Sequence, residues 1–233
     1  MLKIEFSRTT SPHTKGTGTM TKIDMSKLDI KDLNIGIDRL MEVTTNPRHR
    51  LMLQAFYRHR FLELAGRYEE IFTPDMMVES PLYRFSYGGP PTILAGTDAV
   101  KNQYATWARK NETIFYNENE QIAVADNFIA SIAPVAFHQL HAKALIENGF
   151  DVDDENAYYL HKSYDIQMIW PYDDHCRLIG EDVCEPNPER AELIKLDPED
   201  VLTTEEAAKL LAPLIKPLPP FDEKVHGRAK AAA

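Results

Sequence analysis

The stretch from Asn46 to Lys110, NPRHRLMLQAFYRHRFLELAGRYEEIFTPDMMVESPLYRFSYGGPPTILAGTDAVKNQYATWARK, decides the fold of this chain. In its first part, the side chains at steps of three and four residues are mostly apolar and form one helical stripe: Leu53, Phe56, Tyr57, Arg60, Phe61 and Leu64. Asn46 is a suitable N-cap, Pro47 suits the first turn and Gly66 is a suitable stop. The pattern predicts a long helix over residues 47–67.

The rest of this stretch predicts shorter elements. Residues 68–72 predict a short helix, and residues 76–81 predict a short strand closed by its final proline. A loop rich in glycine and proline follows at residues 87–91. A second long helix comes next, and Thr97 or Asp98 would cap it.

One more helix and a set of strands are predicted outside this stretch. Residues 25–44 carry apolar side chains at helical spacing. Strands are predicted at residues 112–116, 121–125, 128–141, 158–170 and 177–185. Asp126 and Asn127 join the second and third of these strands as a hairpin. Pro134 predicts a bulge or an edge position in the third strand, because proline cannot donate to the ladder.

This order of elements resembles the nuclear-transport-factor-like superfamily of SnoaL-like polyketide cyclases, ketosteroid isomerase and scytalone dehydratase. Two local sequences carry the resemblance: Gly96-Thr97-Asp98-Ala99-Val100 at the start of the second long helix, and Asp173-Asp174-His175-Cys176-Arg177-Leu178 between the last two strands. Cysteine stands in the second where the family usually has glycine. The resemblance implies an α+β fold in which a cone-shaped, curved mixed or antiparallel sheet wraps around the long N-terminal helix and leaves an apolar pocket.

The resemblance also implies how the chain is divided. Residues 25–190 would form the SnoaL-like α+β barrel domain, and residues 1–24 would be a disordered tail. Residues 191–233 would be a C-terminal extension with a short helix and a proline-rich tail. The capping box from Thr203 to Glu206 predicts that helix, and we expect its apolar side chains to cover the mouth of the pocket.

The composition excludes several classes of function. The chain has 233 residues, with 26 Lys and Arg against 36 Asp and Glu and a formal net charge of −10, and no dense basic stripe is visible, so nucleic acid is not an expected partner. No apolar run approaches the roughly 20 residues that span a bilayer, and the first residues lack a signal-peptide core. We therefore expect no membrane partner and a cytoplasmic protein.

The motifs predict chemistry without a cofactor. The eight histidines are scattered, with no HxH or HExxH, and no metal site is expected. A glycine-rich phosphate loop and a GxSxG elbow are also missing from the sequence. Cys176 and Cys184 have no CxxC companion, which favours two reduced thiols.

Alternation along residues 158–170 selects candidates on the penultimate strand. The even-numbered face is the more apolar and is assigned inward, which points Lys162, Tyr164 and Met168 at the pocket. His161 and Asp165 then face outward. A single bulge would reverse this assignment and make those two residues a candidate acid/base pair in the pocket.

Other candidates come from the remaining elements. Alternation along the last strand points Glu181 and Val183 inward, and Glu181 is either a general acid or base on an apolar wall or a salt-bridged rim residue. His138 is either a pocket acid or base or a structural histidine. Tyr57 would donate to a substrate oxygen or pack in the core, and Arg60 would bind a substrate anion or extend to solvent. Phe61, Tyr104 and Trp107 complete the expected substrate wall, although core packing is the favoured interpretation of the last two.

The sequence disagrees with ketosteroid isomerase at both of the positions that its mechanism needs. The family's general base would fall on Ser80 and its oxyanion-hole acid near Met168. The main hypothesis is therefore a cofactor-independent lyase or isomerase of a small hydrophobic, aromatic substrate, which loses water or a small aldehyde such as formaldehyde. The alternatives are a non-catalytic binding module and a small structural subunit of an oxygenase-like complex. A homo-oligomer, dimer or trimer, is expected.

Overall fold

The computed structural model describes residues 23–228, so the tail expected at residues 1–24 lies outside the described residues except for its last two. The α-helices of this range are α1 (Ile35–Val43), α2 (Pro47–Leu64), α3 (Thr97–Arg109), α4 (Ala142–Glu147), α5 (Thr204–Leu211) and α6 (Glu223–His226). Its strands are β1 (Met77–Ser86), β2 (Thr92–Ala95), β3 (Phe115–Glu118), β4 (Gln121–Val124), β5 (Phe128–His141), β6 (Tyr158–Pro171), β7 (Leu178–Cys184) and β8 (Glu192–Lys195). Short 3₁₀ turns connect several of these elements, among them the predicted helix Tyr68–Phe72.

The eight strands form one mixed sheet around two long strands. The order is β2-β1-β7-β6-β5-β3, with β4 on the other half of β5 and β8 on the other half of β6. All neighbours are antiparallel except β1 and β7, which are parallel. The sheet is curved and does not close. This α+β architecture confirms the predicted fold class.

Helix α2 begins and ends where the sequence predicts. The side chain of Asn46 accepts hydrogen bonds from the amides of Arg48 and His49, and Pro47 occupies the first turn. Gly66 takes a φ of +63°, which stops the helix. Twelve of the eighteen residues of α2 are buried. One apolar stripe was expected, but the sheet and the C-terminal segments together enclose most of the helix.

The long strands β5 and β6 change sides together near their middle. Asp165 has a φ of +58° and lies opposite Pro134, which has no N–H to donate to the ladder. Beyond this point Met168 lies on the concave face, but before it Lys162 and Tyr164 point away and contact the Glu192 carboxylate on β8. The inward assignment is therefore wrong for Lys162 and Tyr164. The pairing of β5 with β6 keeps one register through this point, so no residue is inserted and the bulge predicted at Pro134 or on β6 is absent.

Several local predictions fail for long-range reasons. Pro81 does not close β1, which continues to Ser86 with a register shift against β7. Thr97 and Asp98 do not cap α3: Gly96 holds the N-cap position, and the Thr97 hydroxyl donates to the Glu79 carbonyl at 2.7 Å. Strands β2 and β8 were not predicted, and β8 pairs with β6 although it lies beyond the expected domain boundary at residue 190.

The C-terminal segment packs on α2 and does not cover the pocket. Thr203 and Glu206 form the predicted capping box, and α5 buries Ala207 and Leu211 in the same core as α2. Arg58 of α2 donates to a backbone carbonyl of the segment that follows α5 at 2.8 Å. The prediction that this segment covers the mouth of the pocket is therefore wrong.

The backbone at Cys176 has the conformation for which the resemblance predicted glycine. Its φ is +58°, a conformation that favours glycine. The carboxylate of Asp173 holds this turn by accepting from the amides of His175 and Arg177 at 2.9 and 2.8 Å. The turn thus keeps the backbone that glycine would supply, and the thiol side chain is buried.

Candidate functional site

A cavity of about 380 Å³ lies between the concave face of the sheet and the helices α2 and α3. Apolar and aromatic side chains form much of its wall: Phe85, Trp107, Phe115, Phe137, Met168 and Trp170. The size and the apolar character are those of small-molecule sites. Trp107 and Met168 thus lie where the sequence analysis expected substrate contacts.

In the described part of the chain, four glutamates line this cavity: Glu63, Glu112, Glu147 and Glu181. Glu112 already accepts a hydrogen bond from the His141 amide and Glu147 is exposed, whereas the carboxyls of Glu63 and Glu181 face the cavity from opposite layers. Glu181 comes from β7, with Val183 beside it on the wall as alternation indicated, and Glu63 comes from α2. Burial raises the pKa of both carboxyls, and the charge of Glu63 raises that of Glu181 further. The Arg60 guanidinium opposes both increases. Within residues 23–228, no hydrogen bond or ion pair satisfies Glu181.

A chain of buried hydroxyl and imidazole groups lies behind the carboxyls. Tyr83 of β1 is the cross-strand partner of Glu181, and the Tyr104 hydroxyl donates to the Tyr83 oxygen at 3.5 Å. His59 Nε2 lies 3.0 Å from the Tyr104 hydroxyl and 4.0 Å from Glu63 Oε2. Burial lowers the pKa of His59 to about 3, so the imidazole is neutral and its contact with Glu63 is not an ion pair. Tyr104 therefore supports the site from behind the cavity wall.

Arg60 lies on the cavity wall but is already neutralised. Its Nη1 donates to Glu120 Oε2 at 2.8 Å, and both side chains are almost fully buried. The guanidinium also lies 5.1 Å from the centroid of the Phe56 ring. Arg60 is 1% exposed, so the expected extension to solvent is wrong. Its binding to a substrate anion stays a prediction, although Glu120 already neutralises the charge.

A second polar group, His138, faces another part of the cavity. Its Nε2 is 2.7 Å from the Glu112 carbonyl oxygen, and burial lowers the pKa of the imidazole. The Tyr87 ring stacks on it at a centroid distance of 5.8 Å. His161, its cross-strand partner, is fully buried, with Nε2 3.6 Å from Glu185 Oε1. The outward assignment of His161 is therefore wrong, although the side chain does not reach the cavity wall.

Other predicted site residues lie elsewhere. Tyr57 and Phe61 pack against each other with ring centroids 5.0 Å apart, and neither lines the cavity. The Lys216 ammonium also lies 5.0 Å from the centroid of the Tyr57 ring, on the side of α2 that the C-terminal segment covers. Asp165 faces Arg190 Nη1 at 3.2 Å. Together with Lys162 and Tyr164, which contact β8, these residues form no part of the site.

The sequence analysis missed Glu63, Tyr83 and Tyr87. Glu63 follows Arg60 by three residues and therefore shares its helical face, a signal that was available in the sequence. Tyr83 and Tyr87 could be found only by continuing β1 beyond Pro81. That continuation depends on the parallel pairing with β7, which lies about 100 residues away in the chain.

Two possible kinds of site have no support in the described range. Among residues 23–228, no group of three or more His, Cys, Asp or Glu side chains is arranged to hold a metal ion. Over the same range, none of the helices combines the length and the apolar character needed to cross a membrane.

Comparisons with known proteins show loose structural likeness only. No protein-family model matches the chain, and no curated protein matches it. The structure is similar to an NTF2-like protein from Anabaena variabilis, with 8% identity, 60% of this chain and 89% of that chain covered, and a TM-score of 0.41. It is also similar to a phenazine-biosynthesis-related protein from Pseudomonas aeruginosa (13% identity, 57% and 76% covered, TM-score 0.36). A third similar structure is the CaMKII hub of S. rosetta (10% identity, 58% and 94% covered, TM-score 0.37).

At these scores the likenesses assign no activity and no family to the chain. The α+β architecture follows from its own strand order and helices. Membership of the SnoaL-like or ketosteroid-isomerase branches stays a prediction.

Proposed function

We propose that this chain is a cofactor-independent enzyme that moves a proton on a small hydrophobic, aromatic substrate with two buried carboxyl groups. The reaction class is a lyase, by loss of water or of a small aldehyde such as formaldehyde, or an isomerase. One observation carries the proposal: the Glu181 carboxyl faces an apolar cavity beside Glu63 and has no partner within residues 23–228.

The two carboxyls act on each other within one buried site. Burial raises the pKa of both, and the charge of Glu63 raises that of Glu181 further. Because two like charges repel in such a site, an ionised Glu63 keeps Glu181 protonated. We assign the base to Glu63 and the acid to Glu181, whereas the sequence analysis gave the base to Glu181 or His138.

This charge arrangement supports a balanced proton transfer. The Glu63 carboxylate takes a proton from a substrate carbon or hydroxyl, and the Glu181 carboxyl gives its proton to the oxygen that gains charge or leaves as water. Lys162 and Tyr164 cannot stabilise that oxygen, because both point away from the cavity.

Proton NMR in deuterated buffer tests the proposal with a panel of aromatic diols and hydroxy-ketones. We expect deuterium uptake, or release of water or formaldehyde, with the wild type. Glu63→Gln and Glu181→Gln should each reduce the rate by about 10²-fold or more, the usual contribution of a positioned acid or base. Asp182→Asn is the matched control, because Asp182 is next to Glu181 but pairs with Arg84 at an exposed position.

The outcomes separate the hypotheses. Equal rates for the three variants would contradict the carboxyl mechanism. Saturable binding of a ligand without any conversion would favour a non-catalytic binding module. A homo-oligomer, dimer or trimer, belongs to the same proposal, and light scattering of the purified protein tests it.

A further inference from the structure

The tautomer of His138 is fixed by its backbone partner. Its Nε2 lies 2.7 Å from the Glu112 carbonyl oxygen, which can only accept a hydrogen bond. Nε2 must therefore carry the hydrogen. In a neutral imidazole the other ring nitrogen, Nδ1, then has a lone pair and acts only as an acceptor.

That acceptor is open to the cavity. Nδ1 of His138 has no hydrogen-bond partner within residues 23–228, and the residue lines the cavity. His161 differs in this respect, because both of its ring nitrogens are buried away from the cavity and from solvent. An unpaired acceptor on a partly apolar wall favours a ligand that brings a donor.

The imidazole is held in place before any ligand arrives. The Tyr87 ring stacks on it with an interplanar angle of 29°. The Glu112 carbonyl fixes the opposite edge of the ring. A rigid acceptor selects by geometry at little entropic cost.

His138 is also remote from the carboxyl pair. The cross-strand partner of His138 on β6 is His161. Val183, two residues after Glu181 on β7, has Met168 as its partner on β6. Seven residues of β6 separate these two positions, about 23 Å along an extended strand and less across the curved face. The imidazole therefore lines a part of the cavity different from the part that the carboxyls line.

We propose that His138 is a specificity-determining residue that accepts a hydrogen bond from a hydroxyl group of the substrate through Nδ1. The substrate class is thereby narrowed to hydroxylated aromatic compounds. The inference rests on the proposed function for its choice of site, but it concerns binding and not the proton transfer.

A pair of isosteric probes tests it: 2-naphthol and 2-methylnaphthalene, which differ by a hydroxyl in place of a methyl group. Their dissociation constants are measured with the wild type, His138→Gln and His138→Asn, and circular dichroism checks that each variant is folded. The glutamine amide can replace the Nε2 donor to Glu112 without an acceptor at Nδ1, whereas the asparagine oxygen can occupy the position of Nδ1.

We expect the preference for naphthol over methylnaphthalene to fall about 3- to 10-fold in His138→Gln, the range of one neutral hydrogen bond. In His138→Asn it should stay near the wild-type value. Three results would overturn the inference: an unchanged preference in His138→Gln, an equal loss in both variants, or no saturable naphthol binding by the wild type.

The failure of this inference and that of the proposed function differ in their results. If the enzyme proposal fails, naphthol selection still depends on His138, but no substrate of the panel exchanges or eliminates. If the inference fails, turnover still depends on Glu63 and Glu181, but the preference for naphthol over methylnaphthalene does not change when His138 is substituted.

Discussion

The Arg48→Met substitution tests how α2 is tied to the ends of the sheet. The Arg48 side chain is 2% exposed. It donates to the carbonyls of Asp126 at 2.6 Å, Asp173 at 2.7 Å and Asp174 at 2.8 Å, and to that of His226 at 3.2 Å. One guanidinium thus joins α2 to the β4–β5 turn, the β6–β7 turn and α6.

The expected loss of stability follows from these contacts. Each carbonyl left without a partner costs about 1 to 3 kcal/mol. Part of this loss is offset, because the folded variant no longer has to keep a charged guanidinium away from water. With three short hydrogen bonds lost, we expect the free energy of unfolding to fall by about 3 kcal/mol for Arg48→Met.

Arg50→Met is the matched control on the same helix. Arg50 also donates to two backbone carbonyls, those of Met41 and Thr44, but it is exposed and water can replace it. The expected loss is below about 1 kcal/mol. Urea unfolding measures both variants through the midpoint and the slope. Losses that agree within about 0.5 kcal/mol would refute the reasoning from burial.

Four further predictions concern the site and the backbone. The rate should rise with pH through a limb set by Glu63, well above the ordinary carboxyl pKa of 4.5, and Glu63→Gln should remove that limb. The contribution of the Glu63 and Glu181 protons to the free energy of unfolding should be fully present below pH 4.5, because the folded state holds these protons more tightly than the unfolded state does. It should be lost as pH rises through the raised pKa values. In urea unfolding, Glu181→Gln should make this decline with pH less steep. Gly66→Ala should destabilise by at least about 1 kcal/mol, and by more than Gly149→Ala, since both glycines have a positive φ but only the Cβ at position 66 meets an α5 side chain. Lys162→Met should leave turnover unchanged, because its ammonium pairs with a carboxylate on β8.

Each of these predictions has a result that would contradict it. A rate limb that persists in Glu63→Gln would move the base elsewhere. A Glu181→Gln protein with the wild-type pH dependence of stability would mean that this carboxyl keeps its ordinary pKa when folded. Equal destabilisation by the two glycine substitutions would mean that backbone strain alone matters. Loss of turnover in Lys162→Met would return that lysine to the site.

Local signals in the sequence were sufficient for the elements whose causes are local. Asn46 and Pro47 started α2 where expected, and Thr203 with Glu206 capped α5, because a cap depends on residues within one turn. Alternation along β7 placed Glu181 on the cavity wall, since that strand keeps a regular pleat there. The fold class followed from the order of such elements.

The tertiary structure alone decided which side chains form the site. The left-handed backbone conformation of Asp165 reversed the faces of β6 at the point where Pro134 of the neighbouring strand lies opposite it. Tyr57 became a core residue because the C-terminal segment covers that side of α2. Glu63 and Glu181, 118 positions apart in the sequence, face one cavity only after β7 has paired with both β1 and β6. A residue's type sets what its side chain can do, but burial and the partners that long-range packing supplies or withholds set its protonation and its role.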